Sequence, residues 1–170
     1  MPDRFEQVVL PHLDAAYNLA RWLVRSPADA DDVVQEACLR ALRFFDGFRG
    51  GDSRAWLLRI VRNTCYSWMR TNHPSALTDA FDETVHGGET AGGGVEAELI
   101  SRDESARVRK ALEMLPVTFR EVLVLREMEG FSYKEISEVT GVPMGTVMSS
   151  LSRARQKLRD QLETGTRKEV

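Results

Sequence analysis

The stretch "GVPMGTVMSSLSRARQKLR", Gly141 to Arg159, gathers residues suited to holding a ligand without making or breaking a bond. Hydroxyls come first, on Thr146, Ser149, Ser150 and Ser152, followed by Arg153, Arg155, Lys157 and Arg159, with no acid among them. Short hydrogen-bonding groups beside long cations suit the surface of a polyanion. Covalent chemistry has no comparable candidate. The histidines His12, His73 and His86 and the cysteines Cys38 and Cys65 have no local partners that suggest a triad, and no CxxC pair suggests zinc. The acids of "DADD" sit at an expected helix start, where the positive end of the helix dipole accounts for them. No catalytic residue, metal or cofactor is therefore expected.

A helix starting near Pro143 would put Val147, Leu151, Ala154 and Leu158 on one apolar stripe, at spacings of four, three and four. That stripe would face a core and leave the hydroxyls and cations outside. Just upstream, "FSYKEISEVTG" reads as a short helix with Ser132 and Glu135 forming a capping box and Gly141 ending it. Two short helices across a tight turn make a helix-turn-helix, whose second helix enters the DNA major groove. Spacing alone leaves a second reading open, because surface helices are often basic and bundles contain such pairs.

The 170 residues allow one ordinary domain or two small helical ones, and 42% hydrophobic content is ample for packed cores. No run approaches a membrane span, and "MPDRFEQ" lacks the order of a signal peptide, so a soluble, cytoplasmic protein without membrane insertion is expected. The net charge of -3 conceals a partition: Ser75 to Glu104 holds eight acids against Arg102 alone, and the remainder is net positive. A mildly acidic balance thus says little against nucleic acid.

The elements divide around "SALTDAFDETVHGGETAGGGV", Ser75 to Val95, whose five glycines, four acids and lack of cations suggest a flexible linker. The expected class is all-α, with domains at 1–74 and 96–170 joined by the linker at 75–95. Before it, a first helix from about Asp3 to Arg25 must tolerate Pro11. A second begins at Ser26, with Pro27 at its first position and Asp29 closing a capping box, and runs to about Phe45. Its apolar stripe would be Val34, Cys38, Ala41 and Phe45, widened by Leu42.

A third helix, about Ser53 to Asn72, would bury Leu57, Val61, Thr64 and Trp68, widened by Trp56 and Ile60. Another of its faces carries Arg59, Arg62, Tyr66 and Arg70 with Asn63 beside them. Cations, an aromatic ring and an amide along one face can hold single-stranded nucleic acid, and an ordinary solvated basic face fits equally well. After the linker come a helix from about Val95 to Leu115, another from Pro116 to about Met128, and the helix-turn-helix, under which Leu115, Phe119, Val122 and Leu125 would pack.

Three stretches, "DADDVVQEACLRALRFFDGFRG", "RAWLLRIVRNTCYSWMR" and "LPVTFREVLVLREMEGFSYKEISEVTGVPMGTVMSSLSRARQKLR", resemble the extracytoplasmic-function (ECF) sigma factors, small two-domain promoter-recognition subunits of bacterial RNA polymerase. The resemblance covers nearly the whole chain in the family's order. It implies a region-2-like domain at 1–74 and a region-4-like domain at 96–170. It further implies that the "DDVVQEACLRA" helix docks on core polymerase through Asp32, Gln35, Glu36, Leu39, Arg40 and Arg43. A Glu36 to Arg40 pair within that helix would contribute only a few tenths of a kcal/mol.

By the same resemblance Asn63 helps form a pocket for a flipped base of the -10 element, with Arg59, Arg62, Tyr66 and Arg70 around it. Thr146, Ser149, Ser150 and Arg153 would meet the -35 element, while Arg155, Lys157 and Arg159 hold backbone or lie exposed. Core polymerase, promoter DNA and an anti-sigma factor are the implied partners. Met148 and Ser150 stand where many members carry basic residues, so weaker intrinsic DNA binding is expected, and Ser67 stands where many carry aspartate. The rival readings are a sigma-like protein that sequesters an anti-sigma factor and a stand-alone helix-turn-helix regulator.

Overall fold

The computed structural model describes residues 2–78 and 100–168. Its elements in chain order are α1 (Pro2–Val9), α2 (Leu13–Val24), α3 (Pro27–Arg43), α4 (Ser53–Asn72), α5 (Pro74–Thr78), α6 (Ile100–Glu113), α7 (Val117–Leu123), α8 (Tyr133–Thr140) and α9 (Met144–Lys168). No strand occurs among the described residues, and none of their helices is long and apolar enough to cross a membrane.

The expected first helix is broken. Pro11 cannot donate a backbone hydrogen bond, and Leu10–His12 tightens into a 3-10 turn that separates α1 from α2. Helix α2 ends at Arg25, whose left-handed backbone (φ 71°) returns its N–H to the Arg21 carbonyl at 2.9 Å. Ser26 then caps α3 by accepting from the Asp29 N–H at 3.3 Å, with Pro27 in the first turn.

The α3 stripe needs a correction. Ala30, Val33, Ala37 and Ala41 are the buried residues, whereas Val34 and Cys38 are half-buried and Leu42 is 55% exposed. Alanines let α3 approach α2 and α4 closely, so the smallest side chains, not the largest, mark its inner face. Leu19, Ala20 and Leu23 of α2 and Leu57, Leu58 and Val61 of α4 complete this part of the core. Phe5, Phe45, Phe48 and Trp56 close one end, with ring centroids 5.0 to 6.1 Å apart.

Asp52 caps α4, its carboxylate accepting from the Ala55 N–H at 2.9 Å, and the helix keeps its expected span. Its buried set is wider than expected and includes Leu58, Cys65 and Met69. The reason is that α4 packs on α2 and α3 and also against α8. The tether reading began at Ser75, but Pro74–Thr78 is helical; residues 79–99 lie outside the described residues, as do the first five positions expected in α6.

In the C-terminal block, α7 does not run on regularly to Met128. Val124–Met128 forms a π turn, with Glu129 N–H donating to the Val124 carbonyl at 3.1 Å and Phe131 N–H to Leu125 at 2.9 Å. The capping box of α8 is complete: Ser132 Oγ accepts from the Glu135 N–H at 3.0 Å, and Glu135 Oε1 accepts from the Ser132 N–H at 2.9 Å. Gly141 supplies the left-handed turn (φ 79°) that ends α8 and redirects the chain into α9.

Candidate nucleic-acid interface

Helix α9 buries Val147, Leu151 and Ala154, with Leu158 half-buried, so the expected stripe lies inward. Leu115, Val122 and Leu125 are buried with them and Phe119 is half-buried against the same core. A side-chain clamp sets the turn before α9, since Ser137 Oγ donates to the Val142 carbonyl at 2.6 Å. The outward face of the first α9 turns presents Thr146, Ser149, Ser152 and Arg153, with Ser150 half-buried. Arg153 makes no ion pair among the described residues, which leaves its guanidinium available to a ligand.

The later cations differ. Arg155 donates to Glu127 Oε1 through Nε at 3.0 Å and through a terminal nitrogen at 2.8 Å, which binds α9 to the π turn. Arg159 donates to Gln156 at 2.9 Å, and Lys157 is half-buried. The hydroxyls and Arg153 thus lie apart from cations engaged in fastening the helix.

The basic face of α4 is divided in two. Arg59, Asn63 and Arg70 are exposed, and Arg70 donates to Ser67 Oγ at 3.2 Å. Arg62 instead turns toward α7, donating to Glu121 through Nε at 3.1 Å and a terminal nitrogen at 3.3 Å, while its guanidinium carbon lies 3.8 Å from the Tyr66 ring centroid. Tyr66 Oη is buried beside the Glu121 and Arg62 side chains, both of which act on its phenol.

Burial pushes the Glu121 carboxyl above its ordinary pKa, and Arg62 offsets only part of that shift. The Tyr66 phenol is also pushed up, by burial and then by the Glu121 charge. Cys65 beneath them is raised to about 12, by burial first, which keeps it a neutral thiol.

On α3, Asp32, Gln35, Glu36, Leu39 and Arg43 are exposed and Arg40 is half-buried. The expected pair forms, Arg40 Nε donating to Glu36 at 3.1 Å, and Arg40 also reaches Thr64 Oγ1 at 3.4 Å. Leu39, Leu42 and Phe44 are 58%, 55% and 57% exposed, forming an apolar group at the end of α3. The sequence reading placed Leu42 on the inner stripe and did not single out Phe44.

Contacts between the two blocks were not anticipated. Arg120, 3% exposed, donates to the Trp22 carbonyl at 2.6 Å and Leu23 at 3.4 Å on α2, and to Leu115 at 2.7 Å and Glu113 at 3.2 Å in its own block. Burial and the Arg25 charge lower its pKa to about 10, which keeps it cationic at neutral pH. Arg54 stacks 4.0 Å from the Phe131 ring centroid and donates to both Glu135 oxygens at 3.0 and 3.1 Å. The sequence signal was the Arg120-Glu121 pair inside the apolar run "LPVTFREVLVL", but it names no partner almost a hundred residues away.

Comparisons with known proteins follow the same division. Residues 8–74 match the Sigma-70 region 2 family and residues 105–158 match the Sigma-70, region 4 family. The chain is 34% identical over 163 residues to the ECF RNA polymerase sigma factor SigE of Mycolicibacterium smegmatis, covering 93% of this chain and 61% of that protein, under two thirds of its length. It is 33% identical over 166 residues to the RNA polymerase sigma-H factor of Pseudomonas aeruginosa, covering 94% of this chain and 86% of the relative. It is 34% identical over 142 residues to the ECF RNA polymerase sigma-E factor of Escherichia coli K12, covering 79% and 74%.

Two solved structures are also similar. One is the sigma factor RpoE in complex with the anti-sigma factor NepR from Bartonella quintana, with a TM-score of 0.70, 31% identity, and coverage of 94% of this chain and 97% of that one. The other is CnrH in complex with the cytosolic domain of CnrY, with a TM-score of 0.68, 30% identity, and coverage of 96% and 90%.

Proposed function

The chain belongs to the extracytoplasmic-function sigma factors, alternative sigma factors of transcription initiation, and we propose that it binds core RNA polymerase, recognises a two-element promoter and promotes DNA opening. The observation that carries this reading is the pair of nucleic-acid-compatible faces, on α4 and α9, within residues that match regions 2 and 4 in order. Neither face offers covalent chemistry. The protein contributes binding energy and position in the cytoplasm and is not itself an enzyme.

In this reading Thr146, Ser149, Ser150 and Arg153 meet the -35 element in the major groove. A bidentate Arg153 contact to guanine contributes about 1 to 3 kcal/mol of base discrimination. Arg155 and Lys157 fix the helix and add to phosphate attraction. On α4, Asn63 hydrogen-bonds a flipped -10 base whose unstacking costs a few kcal/mol, with Arg59, Arg62, Tyr66 and Arg70 contributing phosphate contacts and stacking.

Core polymerase docks on the α3 surface of Asp32, Gln35, Glu36, Leu39, Arg40 and Arg43. Leu42 and Phe44 extend its apolar part, which supplies affinity while the charges orient the encounter. An anti-sigma factor is a further partner, supported by likeness to the sigma factor RpoE solved with the anti-sigma factor NepR. Core polymerase binding of the purified chain, followed by Arg153→Ala competition on promoter fragments, tests the reading: binding with relaxed -35 preference supports it, and no polymerase binding contradicts it.

A further inference from the structure

Two exposed methionines stand at the start of α9, where the proposed function uses only hydroxyls and a cation. Met144 and Met148 are 43% and 47% exposed, while Val147, Leu151 and Ala154 of the same helix are buried. Methionines needed for packing would lie with that inner stripe, and these two do not. Their thioethers instead adjoin the face that Thr146, Ser149, Ser152 and Arg153 present to solvent.

Residues four apart stand one above the other on a helix, which sorts this face into two neighbouring rows. Met144, Met148 and Ser152 form one row, and Gly145, Ser149 and Arg153 form the other; all are exposed. A Cβ added at Gly145 would meet nothing within 4 Å, so the head of the second row is open to an approaching ligand. An apolar edge thus runs beside a hydrogen-bonding one, both continuous with the surface proposed to enter the major groove.

Each row matches a different part of a base pair. Ser149 Oγ donates to the Thr146 carbonyl at 3.2 Å, which commits its hydroxyl hydrogen to the helix and leaves its lone pairs to accept. In the major groove the donors are the N6 amino group of adenine and the N4 amino group of cytosine, and the apolar group is the C5-methyl of thymine. Arg155, two turns beyond Met148 on the same side, is held by Glu127 at 2.8 Å. The methionine row therefore offers no donor to guanine O6 and N7, whereas a thymine methyl seated on it is removed from water.

We propose that Met144 and Met148 are specificity-determining residues that seat thymine C5-methyl groups, so that the first turns of α9 select A·T pairs. Ser149 accepts from adenine N6 beside them, and Arg153 reads guanine one turn further on. The proposal rests on the sigma reading of α9 and names the bases this helix selects. Replacing A·T by G·C removes the methyl and also turns the N6 donor into the O6 acceptor, which Ser149 cannot satisfy with its hydrogen already committed. Selection against G·C at these positions therefore needs no repelling charge.

The test uses the full chain bound to core RNA polymerase. Fragmented genomic DNA retained by this complex supplies the upstream element. Synthetic duplexes then replace each of its thymines in turn with deoxyuridine, which removes only the C5-methyl and keeps the base pair. Equilibrium competition should show affinity falling about fourfold at one thymine or more, the effect of exposing one buried methyl group. Met148→Ala should lose that sensitivity at one position and Met144→Ala at a neighbouring one, whereas Met148→Leu, which keeps an apolar reach, should retain it. Both methionines are exposed, so circular dichroism should show unchanged helix in every variant.

An upstream element without a methyl-sensitive thymine overturns the proposal, as does a deoxyuridine profile that is the same in wild type and in both alanine variants. Weaker binding of Met148→Ala to core polymerase in the absence of DNA makes the pair a protein contact and also overturns it. In each of these outcomes the wild-type complex still retains a discrete upstream element, so the sigma reading stands. If the complex retains no such element, the reading of α9 fails and the proposal with it.

Discussion

The Arg62 guanidinium donates to the Glu121 carboxylate at 3.1 and 3.3 Å across 59 residues of chain, joining the helix proposed to hold the -10 strand to the block proposed to read the -35 element. Arg62 is thereby kept 18% exposed in a helix whose neighbouring Arg59 and Asn63 face solvent. One side chain accordingly belongs both to a nucleic-acid face and to the contact that hides part of it.

Arg120→Met should lower the free energy of unfolding by roughly 1 to 3 kcal/mol, because four carbonyls from two helix ends lose a shared donor. Arg120→Lys should recover little of it, since one ammonium cannot reproduce the planar fork. Urea denaturation checks both variants. Wild-type stability in Arg120→Lys would show that charge, not geometry, sets this contact.

Leu151→Ala and Arg153→Ala should separate packing from recognition on α9. Leu151 is 1% exposed, so its truncation should cost about 2 to 5 kcal/mol of stability and disturb DNA binding only through the fold. Arg153 is exposed, so its removal should leave the melting temperature unchanged and cost about 1 to 3 kcal/mol of discrimination at one -35 base pair. Thermal melts combined with promoter-variant binding distinguish them.

Leu39→Asp should weaken core polymerase binding about tenfold to a hundredfold, the equivalent of about 1.5 to 3 kcal/mol for a buried apolar anchor. Leu39 is 58% exposed in the free protein, so stability should not fall. Equilibrium binding to labelled polymerase measures the loss. An unchanged affinity would remove Leu39 from the docking surface.

The contact between the two blocks should respond to pH through two carboxyl groups whose pKa values shift in opposite directions. Burial alone would raise Glu135, but the neighbouring Asp52 carboxyl, the Ser132 N–H and Arg54 outweigh it and hold it at about 2. Its stabilising contribution is complete above the ordinary value of 4.5 and is lost as pH falls toward 2. Glu121 is raised, so its contribution is complete below 4.5 and declines as pH rises through its folded-state value. Urea midpoints across pH should show a weaker acid-side loss in Glu135→Gln and a weaker decline at higher pH in Glu121→Gln.

Much of this arrangement was legible in the sequence wherever a local rule acted alone. Ser132, Glu135 and Gly141 fixed the first helix of the helix-turn-helix through a capping box and a left-handed turn, and Val147, Leu151 and Ala154 set the inner face of the second. Elsewhere tertiary contacts overrode periodicity. The α3 register was misplaced because alanines, which carry little hydrophobic signal, allow the closest helix approach. The wider burial of α4 followed from a second partner, α8, whose proximity no spacing within α4 could reveal. For the candidate site, the residue types on α4 and α9 were visible, whereas the diversion of Arg62 and Tyr66 depended on a carboxylate far along the chain.

The central claim is that this protein directs promoter-specific initiation, and transcription in vitro with core RNA polymerase and a fragmented genomic template tests it most directly. Sequenced transcripts should begin at discrete sites sharing two upstream elements, with Asn63→Ala reducing initiation and Arg153→Ala altering the upstream preference. Polymerase binding without discrete starts, or starts indifferent to both substitutions, would contradict it.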